Sequence, residues 1–366
     1  MTDEAHAPPA AVTPEVFKSW RSPRRGATNP ERMDNPLWEW LIECRLNAYS
    51  ANKMLNGPSP FSAGPMWCFD RFGQSTTPLS DGRTLLIAGE HEDYYDPDFY
   101  IYNDLVVVPE AGKPEIYGYP VAAFPPTDFH SASVVDDRIV LVGNLGYPAD
   151  RRVGRTQVLV VQRDTWSVSR VDTVGPAPGW IHSHNAELRS DGASLLLTGG
   201  KLYLGEDASL VENIDDWALH LDGWRWERLT ERRWTRFEVQ RSDRKRNHVF
   251  EMRQVLWSRQ MRWDGLESQE SRLRDELGAL PDLELIPSLY RPPVAHEVLP
   301  QKEDEYSVHR IRVEGTVVRY VEEGYTVQAT VEGKLEPEIV EQLRRDLTRK
   351  LETLEQTTMA CRDIPS

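Results

Sequence analysis

Three stretches of this chain can be laid over one another, and that periodicity limits its fold more than any other feature. The first is Gln74-Ser75-Thr76-Thr77, the turn Asp81-Gly82-Arg83 and the run from Thr84 to Gly89. The second is His130-Ser131-Ala132-Ser133, the turn Asp136-Asp137-Arg138 and the run from Ile139 to Gly143. The third is His184-Asn185-Ala186-Glu187, the turn Asp191-Gly192 and the run from Ser194 to Gly200. Each reads as a strand, a tight Asp/Gly turn and a second apolar strand ending in glycine, which is a hairpin with its turn chemistry in place. Two further runs follow each hairpin: Asp104 to Val108 and Glu115 to Tyr119, Gln157 to Gln162 and Trp166 to Asp172, Trp217 to Asp222 and Trp224 to Leu229. Four strands per unit, recurring about every 55 residues, is the spacing of a propeller blade.

The text on either side is different. Residues 1–33 are rich in Pro, Ala, Arg and Asp and predict a largely disordered lead with one short helix from Pro14 to Trp20. Asn35-Pro36 opens a packing helix, with Asn35 as its cap, that Asn56-Gly57-Pro58 ends; it is placed over 34–57. After Leu229 comes a basic stretch, Arg232 to Arg246, then two helices, Val249 to Met261 and Ser268 to Leu277, and a Pro-rich connector up to residue 300. Residues 301–358 read β-β-β-α. Val327, Ala329 and Val331 alternate with Gln328, Thr330 and Glu332, as in a half-buried strand. Val340, Leu343, Leu347, Leu351 and Leu354 line one helix face. The fold class is therefore mainly β with an α+β tail, and the repeats divide at about 64–119, 120–174 and 175–230.

The repeat texture resembles the kelch family. Pro125-Pro126 with His130-Ser131-Ala132 matches that family's opening, Gly199-Gly200 its double glycine, Asn103-Asp104 and Asp215-Asp216-Trp217 its third-strand element, and Asp164-Thr165-Trp166 the lead into its fourth strand. The likeness covers about 165 residues. It departs at Gly89-Glu90 and Gly143-Asn144, where the second glycine is missing, and at Gln74, where His is expected. Three units are fewer than the four or more that close a propeller, so either the flanks supply a blade or the array is open and capped. The resemblance implies a binding scaffold without catalysis or cofactor. Its enzymatic relative, the galactose oxidase type, implies a copper ion with two His, two Tyr and a Cys-linked Tyr. That set cannot be placed here, since Cys68 has no obvious Tyr partner.

Strand parity locates a ligand surface. Successive strands run antiparallel, so segments entering the first strand and loops leaving the second share one rim. The segments are 66–74, 119–130 and 175–184, and the loops are 90–103, 144–156 and 201–213; connections this long on a rigid scaffold carry function. The candidate ligand-binding residues are His91, Asp93, Tyr94, Tyr95 and Asp96 in the first loop, Tyr147 and Arg151 in the second, and Trp180 and His182 in the third entry segment. His91, His130, His182 and His184 are weak candidates for a metal, being clustered histidines without a CxxC or HExxH frame.

A net charge of −15 opposes nucleic-acid binding. Three scattered cysteines point to neither a disulfide framework nor a zinc site, and no apolar run is long enough to span a membrane. The expected setting is the cytoplasm and the expected partner a protein or carbohydrate ligand, basic if it is a protein. Two further functions fit the same text: an immunity-type neutraliser of a basic toxin, and a metal-dependent hydrolase using the rim histidines.

Overall fold

The structure, a computed structural model, describes residues 7–91, 99–205, 210–261, 267–302 and 305–365. The chain is mainly β, with several antiparallel sheets and a few helices, and it divides into two compact units, Met1–Glu231 and Arg232–Ser366. No helix among the described residues is long and apolar enough to cross a membrane.

The first unit is built on three four-stranded meanders. Their strands are Ser75–Pro78, Thr84–Ile87, Asp104–Val108 and Glu115–Gly118; then Ser131–Val135, Arg138–Val142, Val158–Gln162 and Val168–Arg170; then Asn185–Leu188, Ser194–Thr198, Trp217–His220 and Arg225–Arg228. Alternation along each strand sends side chains to two faces. Leu85, Ile87, Leu105 and Val107 of the first sheet meet Ile139, Leu141, Leu159 and Val161 of the second. The second sheet's other residues, Val140, Val142, Val158 and Val160, meet Leu195, Leu197, Trp217 and Leu219 of the third. The inner strands of the second sheet are thus apolar on both faces because that sheet is packed on both sides.

The same contacts join each sheet to the next. The first strands, Ser75–Pro78, Ser131–Val135 and Asn185–Leu188, lie side by side in that order. Ser75 Oγ and His130 Nε2 share a hydrogen bond of 2.9 Å, and Ser131 Oγ and His184 Nε2 share another of 2.9 Å. One residue earlier, Phe129 N–H donates to Gly73 O at 2.9 Å and Ser183 N–H donates to Phe129 O at 2.8 Å. Gly73, Phe129 and Ser183 all hold positive φ, at 61°, 50° and 53°. Gly143, with φ of 80°, ends the second hairpin where a Cβ would lie 2.5 Å from Ile181 O and 2.6 Å from His184 Cε1. Only glycine allows both that conformation and that approach.

The described part of the lead, residues 7–33, holds a helix and a short strand. Thr13 caps Pro14–Trp20, Phe17 is buried, and the Arg21 guanidinium donates to Asn52 Oδ1, Ala63 O and Gly64 O. Glu31–Arg32 extends the first sheet beyond Glu115–Gly118. The expected helix over 34–57 is two, Pro36–Cys44 and Ala48–Met54, because Arg45 turns into the left-handed region at φ 52° and Asn47 caps a new start. These helices pack on Leu86, Val106 and Ile116, the outer face of the first sheet, with Trp38 stacked on Trp67 at 4.7 Å. Apolar residues scattered through a polar lead give no periodic signal, so their shared destination was not legible.

The second unit holds a six-stranded antiparallel sheet in the order 297–298, 308–313, 316–322, 326–332, 235–241, 359–363. The β-β-β-α reading of 301–358 describes part of it. Residues set aside as a basic connector supply the strand Thr235–Arg241 beside Thr326–Glu332. Phe237, Val239, Tyr320, Val327 and Ala329 face Leu343, Leu347, Leu351 and Leu354 of the helix Pro337–Glu355, and Met252 and Val255 of the helix Val249–Met261 complete the core. Gln328 and Thr330, expected to face water, are buried too, as is Thr326. In register, Glu238, Arg236 and Arg319 stand beside Gln328 and Thr330 on that face, where their long side chains take the place of solvent. Arg241 donates to Glu355 Oε2 at 2.8 Å, and His248 lies between Glu355 and Glu276, its ring nitrogens 2.8 Å from each.

Candidate functional site

Entry segments and long loops meet on one side of the three meanders, as strand parity requires. The loop leaving the first hairpin lies against the segment entering the second sheet, through Gly89 N–H to Thr127 O and Thr127 N–H to Tyr102 O. The loop leaving the second hairpin meets the segment entering the third sheet through Asn144 N–H to Ile181 O. Trp180–His182 pairs with Lys201–Tyr203, which pairs in turn with Leu210–Glu212. Loop backbone that would otherwise be unsatisfied is bonded to the next repeat.

Several residues read from the sequence as ligand-binding serve to fasten this rim. Tyr147 Oη accepts the Ile101 N–H at 2.9 Å, and its ring meets Phe99 edge-on at 5.7 Å. Arg151 donates to Leu145 O and Gly146 O, and its guanidinium lies 5.6 Å from the Tyr203 ring centroid. Trp180 Nε1–H donates to Leu145 O at 3.0 Å. His91 is buried in the short strand opposite Tyr100. His182 is buried, with Nδ1 3.0 Å from Ser183 Oγ and its ring edge-on to Phe129, and burial pushes its pKa down to about 3. Asp93, Tyr94, Tyr95 and Asp96 lie outside the described residues.

Asp128 was missed. It is fully buried, and its Oδ1 accepts the Gly146 N–H at 2.6 Å, so it is the post around which residues 144–151 wrap. Burial holds its carboxyl above the usual range, while Gly146 N–H and Arg151 act the other way. Its sequence context, Thr127-Asp128-Phe129, reads as one more polar turn, and only the fold shows where that carboxyl points.

The weak metal candidates do not gather. His130 and His184 commit Nε2 to serines of the preceding repeat, and burial pushes their pKa values down to about 3 and about 4. Among the described residues there is no group of three or more His, Cys, Asp or Glu able to hold a metal ion. Cys68 does have a tyrosine neighbour, contrary to the sequence reading: Tyr102 Oη is 3.8 Å from its Sγ and accepts its backbone N–H. The two are brought together from 34 positions apart beneath Arg71, which lies 3.3 Å from the Tyr102 ring centroid and pairs with Asp104.

Beside these connections lies a cleft of about 620 Å³. Asp150, Arg152 and Arg155 come to it from the second loop, Pro125 and Pro126 from the second entry segment, and Trp180 from the third. Arg152 and Arg155 are exposed, while Trp180 is 7% exposed. Guanidinium groups beside an indole suit a ligand with acceptor oxygens and a flat or apolar face.

No protein-family model and no curated protein matches the chain. Among solved structures, the chain is similar to YjhT at 9% identity and a TM-score of 0.33, over 74% of this chain and 66% of that one. It is also similar to a fungal alcohol oxidase of the AA5 family, solved in complex with copper, at 10% identity and a TM-score of 0.31, over 46% of this chain and 45% of that one.

Proposed function

We propose that residues 64–230 are a kelch-like, propeller-type unit of three blades, and that the chain is a cytoplasmic binding protein that holds a protein or carbohydrate ligand on the rim without catalysis. The observation that carries this reading is the convergence of connections from successive sheets. The first two long loops are each hydrogen-bonded to the segment entering the next sheet, and the second loop shares one cleft with two entry segments. A surface assembled from several rigidly held loops is what recognition needs. The polar atoms of Tyr147, Arg151 and Trp180 are engaged within the rim, whereas Arg152 donates to Ala149 O and Arg151 O through Nη1 alone and keeps its other N–H groups for a ligand, beside the exposed Arg155. The metal-dependent hydrolase is not carried further, because His130 and His184 hold the sheets together.

The test is direct binding of the full chain to glycan and peptide arrays, alongside a variant carrying Arg152→Glu and Arg155→Glu. Both side chains are exposed, so the fold is retained. Ligands held by the rim lose at least tenfold in signal. A bound set that is the same for both proteins refutes the placement of the site. Capture of glycans that the variant loses points to a lectin-like role, whereas capture of basic peptides that the variant retains or strengthens would place the site elsewhere and point to the neutraliser.

A further inference from the structure

The second unit carries a pocket that the proposed rim function does not use. It measures about 240 Å³ and lies between the short turn-helix Leu283–Ser288 and the stretch from Val298 to Gln301, with His309 and Ile311 contributing from the sheet. Ile286, Pro287, Val298 and Leu299 give it an apolar wall. Three arginines, Arg253, Arg291 and Arg310, share its lining with His309. A gathering of cationic donors around a small apolar-walled pocket stands out in a chain whose net charge is −15.

The charges around it are partly balanced, which determines what they can still hold. Glu322 accepts from Arg253 Nε and from Tyr290 Oη–H at 2.7 Å, and His309 Nε2 lies 3.4 Å from it. These partners hold its carboxyl below the usual range even though burial acts to raise it. Its charge is therefore spent on groups already in place. Arg310 pairs with Glu305. Arg253 commits Nε and Nη2, and Arg310 commits Nη1, so each keeps N–H groups uncommitted. The exposed Arg291 side chain makes no hydrogen bond or ion pair with the described residues, while its backbone is pinned by Lys350 Nζ on Arg291 O at 2.7 Å. Two arginines neutralised by two glutamates and a third left over give the pocket one net positive charge.

The floor is rigid. His309 stacks on Tyr290 with centroids 4.5 Å apart, and Tyr290 stacks on Tyr320 at 4.8 Å. Such a stack, anchored in the core and tied through Tyr290 to Glu322, holds His309 in place without further ordering cost.

We infer that this pocket binds a small organic oxyanion, its charged end among Arg291, Arg253 and Arg310 and its body against Ile286, Pro287, Val298 and Leu299. Guanidinium groups match carboxylate and phosphate oxygens through paired N–H donors. The apolar wall favours an organic acid over an inorganic ion, since a bare phosphate would leave that wall uncovered.

Calorimetric titration of the full chain with benzoate and, separately, with inorganic phosphate tests this. Benzoate binds with the lower Kd of the two, weakens as ionic strength rises, and loses at least tenfold in affinity in Arg291→Glu. Arg291 is exposed, so that variant folds, and its thermal midpoint without ligand stays at the wild-type value. Arg291→Lys, which keeps the charge but not the fork, retains binding at reduced affinity. Absence of binding by either anion at tens of millimolar overturns the inference. So does benzoate affinity that is equal in Arg291→Glu and wild type, and so does phosphate binding more tightly than benzoate.

Discussion

Three neutral histidines buried in the first unit make its stability depend on pH in a definite direction. His130, His182 and His184 have folded pKa values pushed down to about 3, 3 and 4 by burial, against an ordinary value of 6.5. On unfolding, each returns to the ordinary value and takes up a proton as the pH falls. Their contribution is therefore fully present above pH 6.5 and drains as the pH falls toward the folded values. Between pH 7 and pH 5 each accounts for a loss of about 2 kcal/mol, or about 6 kcal/mol for the three, comparable to the whole stability of many domains. His248 in the second unit has the opposite sign: its bonds to Glu355 and Glu276 raise its pKa, so that pairing strengthens as the pH falls. Urea titration with amide exchange read by mass spectrometry resolves the two units. Protection across 131–142 and 185–198 falls from pH 7 to pH 5, after correction for intrinsic exchange, while that across 241–255 does not. Replacing His130 and His184 by Gln, the residue at the matching position 74, removes about 4 of the 6 kcal/mol from the pH dependence. A first unit equally stable at both pH values, or a double variant with unchanged pH dependence, refutes the reasoning.

Two substitutions probe the packing of the same unit. Gly143→Ala places a methyl against Ile181 O and His184 at a positive-φ position, and costs at least about 2 kcal/mol, measured as a lower urea midpoint. Arg71→Ala leaves Asp104 buried without its partner and costs about 3–5 kcal/mol by the same measurement, and Arg71→Lys recovers little of it because Cys68 O and Ala88 O are also bonded by the guanidinium.

The repeats were legible because turn chemistry and apolar runs recur together. Gln74, His130 and His184 do occupy matching places, and the Asp/Gly turns do close hairpins. The rim followed from strand parity alone. The roles within it were not legible, because a side chain such as Tyr147 or Arg151 reads the same whether its polar atoms face a ligand or a neighbouring carbonyl. Asp128 gave no signal for the same reason. The strand Thr235–Arg241 was hidden in a basic stretch, since Arg236 and Arg241 are buried in a folded unit, where Arg241 donates to Glu355, rather than held in water. The pocket lined by Arg253, Arg291 and His309 depends on residues more than fifty positions apart, brought together only by the sheet.

The joining of the first two long loops into a single edge is open to one measurement: amide exchange at Ile101 in Tyr147→Phe. The phenolic oxygen is the acceptor for that N–H, and its removal leaves the ring and its contact with Phe99 in place. Exchange at Ile101 quickens about fivefold, the equivalent of about 1 kcal/mol for one hydrogen bond, while strands 84–87 and 138–142 keep their protection. An Ile101 amide that exchanges at the same rate in both proteins would mean that the loops are independent, and that no common ligand surface exists.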